Sequence, residues 1–199
     1  MKQFLITQEH VDQALIKAAQ VEKEAGSQHR AESITDGTSY LLAFVGEIII
    51  TKAIGGENIS SEIGTSKFNF DLYYKNWTFD VKLKLRNVDP RPFHDASVAQ
   101  TSLHQKCHGY IFLNIHNPNI KVFKRQNSSH YLGAILTFCG FQGKKTYLEN
   151  SVFYKEGHEF DNVKPNGEPF KCLRDMYNRP YSSLKGYEEL LRIPEHIIK

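Results

Sequence analysis

Ser66-Lys67-Phe68-Asn69-Phe70-Asp71-Leu72-Tyr73-Tyr74-Lys75-Asn76-Trp77-Thr78-Phe79-Asp80-Val81-Lys82-Leu83-Lys84-Leu85 reads as one β-hairpin. The first arm sets Phe68, Phe70, Leu72 and Tyr74 against Lys67, Asn69, Asp71 and Tyr73. The second sets Trp77, Phe79, Val81, Leu83 and Leu85 against Thr78, Asp80, Lys82 and Lys84. That period of two is the mark of half-buried strands, and Lys75-Asn76 is the tight turn between them. A two-residue turn fixes the register: Tyr74 faces Trp77, Leu72 faces Phe79 and Asp71 faces Asp80. Slipping by one residue would destroy the match of the apolar faces. Two carboxylates therefore stand opposite each other, with Cβ atoms about 5 Å apart. Such a pair destabilises a hairpin unless a proton or a cation neutralises it. Lys82, two residues beyond Asp80 on the same face, reaches the same spot.

Before the hairpin, Thr7 caps a helix over 8–25 with Val11, Ala14, Leu15, Ala18 and Val21 at helical spacing. Residues 26–37 are polar and read as a connector. Thr38 or Ser39 caps a second helix that Gly55-Gly56 stops after Ile54. This helix is apolar nearly all round, so it is expected at the centre, with Glu47 its one internal acid. After the hairpin, 87–94 is a Pro-containing loop, 95–108 a helix broken by Gly109, and 110–115 a buried strand that 120–123 is expected to rejoin after a turn. Residues 131–138 are a further apolar stretch, and 183–192 form a short amphipathic helix.

A divalent-metal site is the chemistry this pattern suggests. Mg²⁺ takes a few oxygen ligands and keeps several waters, so Asp71, Asp80 and the Val81 carbonyl suffice. Lys82 would then hold the attacking water or stabilise charge on a phosphoryl oxygen. Glu47 adds a ligand if its helix packs beside the polar face of the hairpin. As a bare tripeptide, Asp80-Val81-Lys82 reads first as a solvated surface pair, since it is common by chance.

The wider order is Gly46-Glu47 on a helix, Asp71 on a strand, Asp80-Val81-Lys82 on the next, then a basic helix and a strand. It resembles the PD-(D/E)XK nuclease superfamily over roughly residues 40–116. Phe70 stands where many members carry Pro. The resemblance implies an α/β fold like that of restriction endonucleases: a mixed central sheet of about five strands flanked by helices on both sides. A helical extension at 1–36 would precede a nuclease-like domain at 37–199 that includes a Gly- and aromatic-rich C-terminal part. It also implies Asp71 and Asp80 as metal ligands, Lys82 as the catalytic lysine, Glu47 as a metal-associated acid, and Mg²⁺, replaceable by Mn²⁺, as cofactor. Some relatives place a Gln on the helix after the signature, and Gln100 and Gln105 are both candidates here.

The implied substrate is DNA, cut by hydrolysis of phosphodiester bonds, and many relatives act as homodimers. Lys84, Arg86, Arg91, Gln100 and Lys106 follow the site and are expected to contact nucleic acid. The alternatives are a catalytically silent module of this fold that binds nucleic acid or protein, and a nuclease acting on RNA.

Charge and composition agree with that class. Net charge is only +3, but residues 96–148 hold six Lys or Arg and no Asp or Glu, which is either the footprint of a polyanion partner or an ordinary face balanced in space by acids from elsewhere. Apolar residues make up 40 %, which excludes wholesale disorder. The longest apolar run, 40–50, is half a membrane span and contains Glu47, so no membrane association is expected. The N-terminus has no secretion-signal pattern, and three cysteines without CxxC spacing suit reduced thiols in the cytoplasm. His104 and His108, with Cys107 between them, could begin a zinc site but lack a second cluster. Gly-rich phosphate loops and a nucleophile-elbow Ser are absent from the sequence.

Overall fold

The computed structural model describes residues 1–32, 40–59, 70–163 and 167–196. Among these residues eleven strands and four helices follow in the order β1 (Lys2–Leu5), α1 (Gln8–Glu32), α2 (Tyr40–Ile54), β2 (Glu57–Asn58), β3 (Leu72–Tyr74), β4 (Trp77–Leu85), β5 (Asp95–Ala99), β6 (Gly109–His116), β7 (Ile135–Gly143), α3 (Lys144–Glu149), β8 (Val152–Tyr154), β9 (Glu159–Val163), β10 (Pro169–Lys171), β11 (Met176–Pro180) and α4 (Tyr187–Leu191). The architecture is mixed α/β. Its main sheet has six strands, one more than expected, in the order β1-β7-β6-β4-β3-β2. Only β4 and β6 run parallel; every other neighbouring pair is antiparallel.

The hairpin forms as its pattern dictates. Lys75 and Asn76 both take positive φ, 50° and 61°, the geometry of a turn whose twist matches its strands. Leu72 faces Phe79 and Tyr74 faces Trp77. The part of the first arm at 66–69 lies outside the described residues, as do Thr38 and Ser39. Gly55, at φ 69°, ends α2 as expected.

The two faces of the sheet are covered differently. Odd-numbered β4 residues Phe79, Val81, Leu83 and Leu85 join Ile111, Leu113 and Ile115 of β6 under α2, α1 and α4. Gly46 lets α2 lie close, because a Cβ there would meet the Leu83 side chain at 3.1 Å. On the other face Tyr110, Phe112 and Cys139 pack with Ala96, Val98, Tyr147 and Tyr181. That cover is chiefly a small sheet of order β5-β11-β8, together with the short α3. The expectation of helices on both sides is thus half right.

Residues 95–108 are not a helix. Asp95–Ala99 buries Ala96 and Val98 in strand alternation and pairs with β11, a partner some 80 residues away that no local pattern reveals. A 3-10 turn at Gln100–Ser102 follows. Helix α1 continues past Gly26 to Glu32, a glycine in a helix interior costing only about 1 kcal/mol. The expected helical extension opens instead with β1, which pairs with β7 at the edge of the main sheet. On α1 the buried stripe is Val11 and Ala14, while Leu15 is 41 % exposed. Residues 120–123 form no strand; Ile120 N–H closes a turn onto the Asn117 carbonyl. The apolar stretch at 131–138 divides between a 3-10 turn at Ser128–Tyr131 and β7, and the last helix is only Tyr187–Leu191. No helix among the described residues is long and apolar enough to cross a membrane.

Candidate active site

Asp71 stands one residue before β3, where the hairpin ladder changes. Beyond Leu72–Phe79 the Asp71 amide donates to the Phe79 carbonyl at 2.9 Å, and the Asp71 carboxylate accepts from the Val81 amide at 2.6 Å. The side chain so takes a place in the ladder that main chain would hold in a regular strand. The expected direct Asp71–Asp80 pairing is replaced by this tighter arrangement, which still leaves the two acids within electrostatic reach. Burial, then Glu47, then Asp80 push the Asp71 carboxyl well above the usual carboxylate range, and the Val81 amide and Lys82 only partly oppose them.

Asp80 is 3 % exposed. Its Oδ2 is paired with Lys82 Nζ at 2.6 Å, and its Oδ1 accepts from Gln105 Nε2 at 2.9 Å. Gln105 Oε1 accepts in turn from Lys82 Nζ at 3.2 Å. One amide therefore ties acid and base together. Of the two Gln candidates it is Gln105 that meets the site, while Gln100 is exposed on the 3-10 turn.

Glu47 arrives from the other side. Helix α2 packs on the apolar face of β4, not beside the polar face, yet Glu47 is near enough to Asp71 to raise its carboxyl. Glu47 is 5 % exposed, and Lys17 Nζ of α1 lies 3.9 Å from its Oε2. Lys17 also donates to Asn58 Oδ1 on β2 and sits 4.9 Å from the centre of the Phe44 ring. Burial pulls the Lys17 ammonium below its usual range, while Glu47 and Asp71 work to hold the proton on. Sequence reasoning missed Lys17, although a signal existed: it stands three residues after Ala14, on the inward stripe of α1.

The expected nucleic-acid contacts separate. Lys84 is half-buried, and its ammonium is taken up by the fold: it donates to the Asp95 carbonyl at 2.8 Å and to Ser97 Oγ at 2.7 Å. Arg86 is half-buried, and its side chain is hydrogen-bonded to Tyr181. Arg91, Gln100 and Lys106 are exposed. The acid-free segment divides between the two ends of the sheet. Lys106, Lys144 and Lys145 lie at the end where Phe79 faces Gly109. Lys121, Lys124 and Arg125 follow the far end of β6, about 23 Å further along the strands. His104 and His108 share no helix face; His104 Nδ1 lies 2.7 Å from the Thr101 carbonyl and His108 Nδ1 2.7 Å from Thr78 Oγ1.

Three carboxylates and two ammonium groups thus gather where α1, α2, β3 and β4 meet. The donors suit a hard cation, with Asp71, Asp80 and the Val81 carbonyl supplying oxygen. Among the described residues no three His, Cys, Asp or Glu side chains converge to hold one ion by themselves. An ion here would take one or two carboxylates and complete its shell with water, the habit of Mg²⁺. No family model, curated protein or solved structure matches the chain.

Proposed function

We propose that the chain is a metal-dependent nuclease, built on a restriction-endonuclease-like core, that hydrolyses phosphodiester bonds in DNA. The observation that carries this reading is the convergence of Asp71, Asp80, Lys82 and Glu47 from three separate elements, with Gln105 joined to two of them. A chance Asp-x-Lys on a solvated strand would not be 3 % exposed at its acid or be met by carboxylates from a neighbouring strand and helix. The order α2, then the antiparallel β2-β3-β4, then β6 parallel to β4, fits the same reading. It departs in one respect, since the crossover carries β5 and a 3-10 turn where a helix was expected.

Asp71 and Asp80 would hold Mg²⁺ or Mn²⁺, which when bound supplies an acidified water and an electrophile for a phosphoryl oxygen. Lys82 is placed to hold a water or to meet the negative charge that develops on the phosphate. Gln105 keeps the Lys82 ammonium and the Asp80 carboxylate at fixed distance, and Glu47 raises the local negative potential that attracts the ion. Exposed Lys106 and Lys145 offer phosphate contacts at this end of the sheet.

A second reading is favoured by one feature: both Asp80 oxygens already have protein partners. A catalytically silent module of the same fold would look like this. Supercoiled and linear duplex, and matched RNA, incubated with millimolar Mg²⁺ or Mn²⁺ distinguish the readings. Cleavage lost with chelator and with Asp80→Ala supports the nuclease. Intact substrate, no saturable metal binding by calorimetry and a retained gel shift would leave the binding module. Cutting confined to RNA would change the substrate class.

A further inference from the structure

Helix α1 turns a lysine inward. Its stripe of Val11 and Ala14, 1 % and 0 % exposed, continues not with another apolar residue but with Lys17, 9 % exposed. Burying an ammonium is costly unless the surroundings repay it with paired charge and hydrogen bonds. What repays it is the acidic cluster: Glu47 of α2 at 3.9 Å, Asn58 of β2 as acceptor, and the Phe44 ring at 4.9 Å. Asn58 belongs to the same strand segment whose next residue, Ile59, donates its amide to the Asp71 carbonyl at 3.1 Å. Lys17 therefore meets Glu47 and Asn58 directly and lies within electrostatic reach of Asp71, while the Asp80 carboxylate has its own ammonium in Lys82.

We infer that Lys17 is a built-in counter-cation of the Glu47–Asp71 side of the site, and that a divalent ion and the Lys17 ammonium compete for those carboxylates. The inference rests on the metal reading proposed above. A divalent ion carries twice the charge and sits closer to oxygen than an ammonium at 3.9 Å. It weakens the hold on Lys17 as it binds, and the flexible four-carbon stem lets the ammonium swing away. Linkage makes this reciprocal: whatever Lys17 contributes to the metal-free protein is subtracted from metal affinity. Docking of α1 and loading of the site are thereby coupled, and Lys17 is a positioning residue for the acids rather than a group that meets substrate.

The test is Mn²⁺ binding to the full chain by calorimetry, with thermal melting in chelator and in Mn²⁺, for wild type, Lys17→Met and Lys17→Arg. Expected are a Kd for Mn²⁺ about tenfold tighter in Lys17→Met, a coupling of ordinary size, and a near-wild-type value in Lys17→Arg. Lys17→Met should melt below wild type in chelator and recover most of that loss in Mn²⁺, since a ligand that binds only the folded state stabilises it. If Lys17→Met does not fold in chelator, refolding on addition of Mn²⁺ supports the inference and failure to refold overturns it. An unchanged or weaker Kd in Lys17→Met, beside saturable binding by wild type, overturns the inference alone. Absence of binding in both proteins overturns the metal reading with it. Binding by Lys17→Met but not by wild type would support it in its strongest form, a site closed by its own lysine.

Discussion

Gln105 donates its side-chain amide to Asp80 at 2.9 Å from a loop that has no regular structure of its own. Lys144, at the start of α3, holds that loop by donating its ammonium to the carbonyls of Leu103 and Gln105. A lysine of the acid-free segment thus shapes the site through main-chain contacts, without an acid partner. Position, not residue type, separates Gln105 from Gln100: five residues apart in sequence, one is joined to two charged groups and the other faces solvent.

Gln105→Ala takes the donor from Asp80 Oδ1 and the acceptor from Lys82. Leaving a buried charged oxygen short of a hydrogen bond costs about 1–3 kcal/mol. Loss of a group that orients a metal-site acid lowers activity roughly 10–100-fold. Gln100→Ala, on an exposed turn, should change stability by no more than about 0.5 kcal/mol and leave activity intact. Melting curves and cleavage rates of the two variants side by side check this. Equal rates in both would remove Gln105 from the site.

Asp71→Asn should separate stability from function. The native carboxyl titrates above its unfolded value, so the folded state holds this proton where the unfolded chain has released it. Its contribution is complete below the unfolded pKa and is lost as pH rises through the raised one. Burial and the neighbouring acids make the charged form of Asp71 costly in the folded protein, a cost the amide lacks, and the amide oxygen can still accept from Val81. Asp71→Asn is expected to be as stable as wild type or more so at neutral pH, to lose the gain that wild type shows on acidification, and to gain nothing from Mn²⁺. Urea melts at mildly acidic and neutral pH, with and without Mn²⁺, measure all three. A variant much less stable than wild type in chelator at neutral pH would show that Asp71 is held there for structure.

The legible parts of the molecule are those whose cause is local. Alternation around Lys75-Asn76 gave the register from Leu72 to Trp77, and the near-continuous apolarity before Gly55, broken by few polar residues, gave α2 and its central place. The 110–115 strand needed only its composition. Missed features have distant causes. Strand β5 exists because β11 pairs with it, and β1 because the edge of β7 is open to it. Lys84 looked like a phosphate contact because its strand position is right; only the roof made by Asp95 and Ser97 takes it out of solvent. That Asp71, Asp80 and Lys82 stand near one another was readable from the hairpin register and face, while Glu47 was named with them by the order of residues along the chain. The Asp71 bond to the Val81 amide was not, since it replaces the regular ladder that the arithmetic assumed.

Gly140 interrupts β7 at φ 147°, where an added Cβ would stand 2.5 Å from Leu184 Cβ and 3.2 Å from the Lys185 carbonyl. The next residue, Phe141, makes a reciprocal main-chain pair with Lys185, so that segment cannot withdraw freely. Gly140→Ala combines a backbone penalty with overpacking and should cost about 3 kcal/mol or more. Gly133 is the control: its φ is 70° but nothing lies within 4 Å of an added Cβ, so Gly133→Ala should cost only about 1–2 kcal/mol. Denaturant unfolding of both reads the steric part as the difference. Equal losses would mean that the 184–185 segment yields.

Lys84 gives the pH dependence its clearest sign. Burial first, then Arg86, bring its ammonium down from 10.5 to about 8, with Asp95 acting the other way. Below pH 8 the group is charged folded and unfolded, and the folded protein bears the full cost of burying it. As pH rises from about 8 toward 10.5 the native lysine releases its proton first, the unfolded chain then binds more protons, and stability rises with pH. The gain is on the order of 2 kcal/mol across that window. Cys107 and Cys139 oppose it, because burial pushes their thiols up to about 11 and about 12 and the unfolded chain loses those protons first. Raw stability against pH therefore mixes the two signs, and the quantity to measure is wild type minus Lys84→Met. That difference should climb between pH 8 and 10, with the Cys107 contribution cancelling and Cys139, whose thiol Lys84 lowers, leaving a smaller remainder. A difference that stays flat would mean that the Lys84 ammonium is solvated in the native state and that β5 does not close over it.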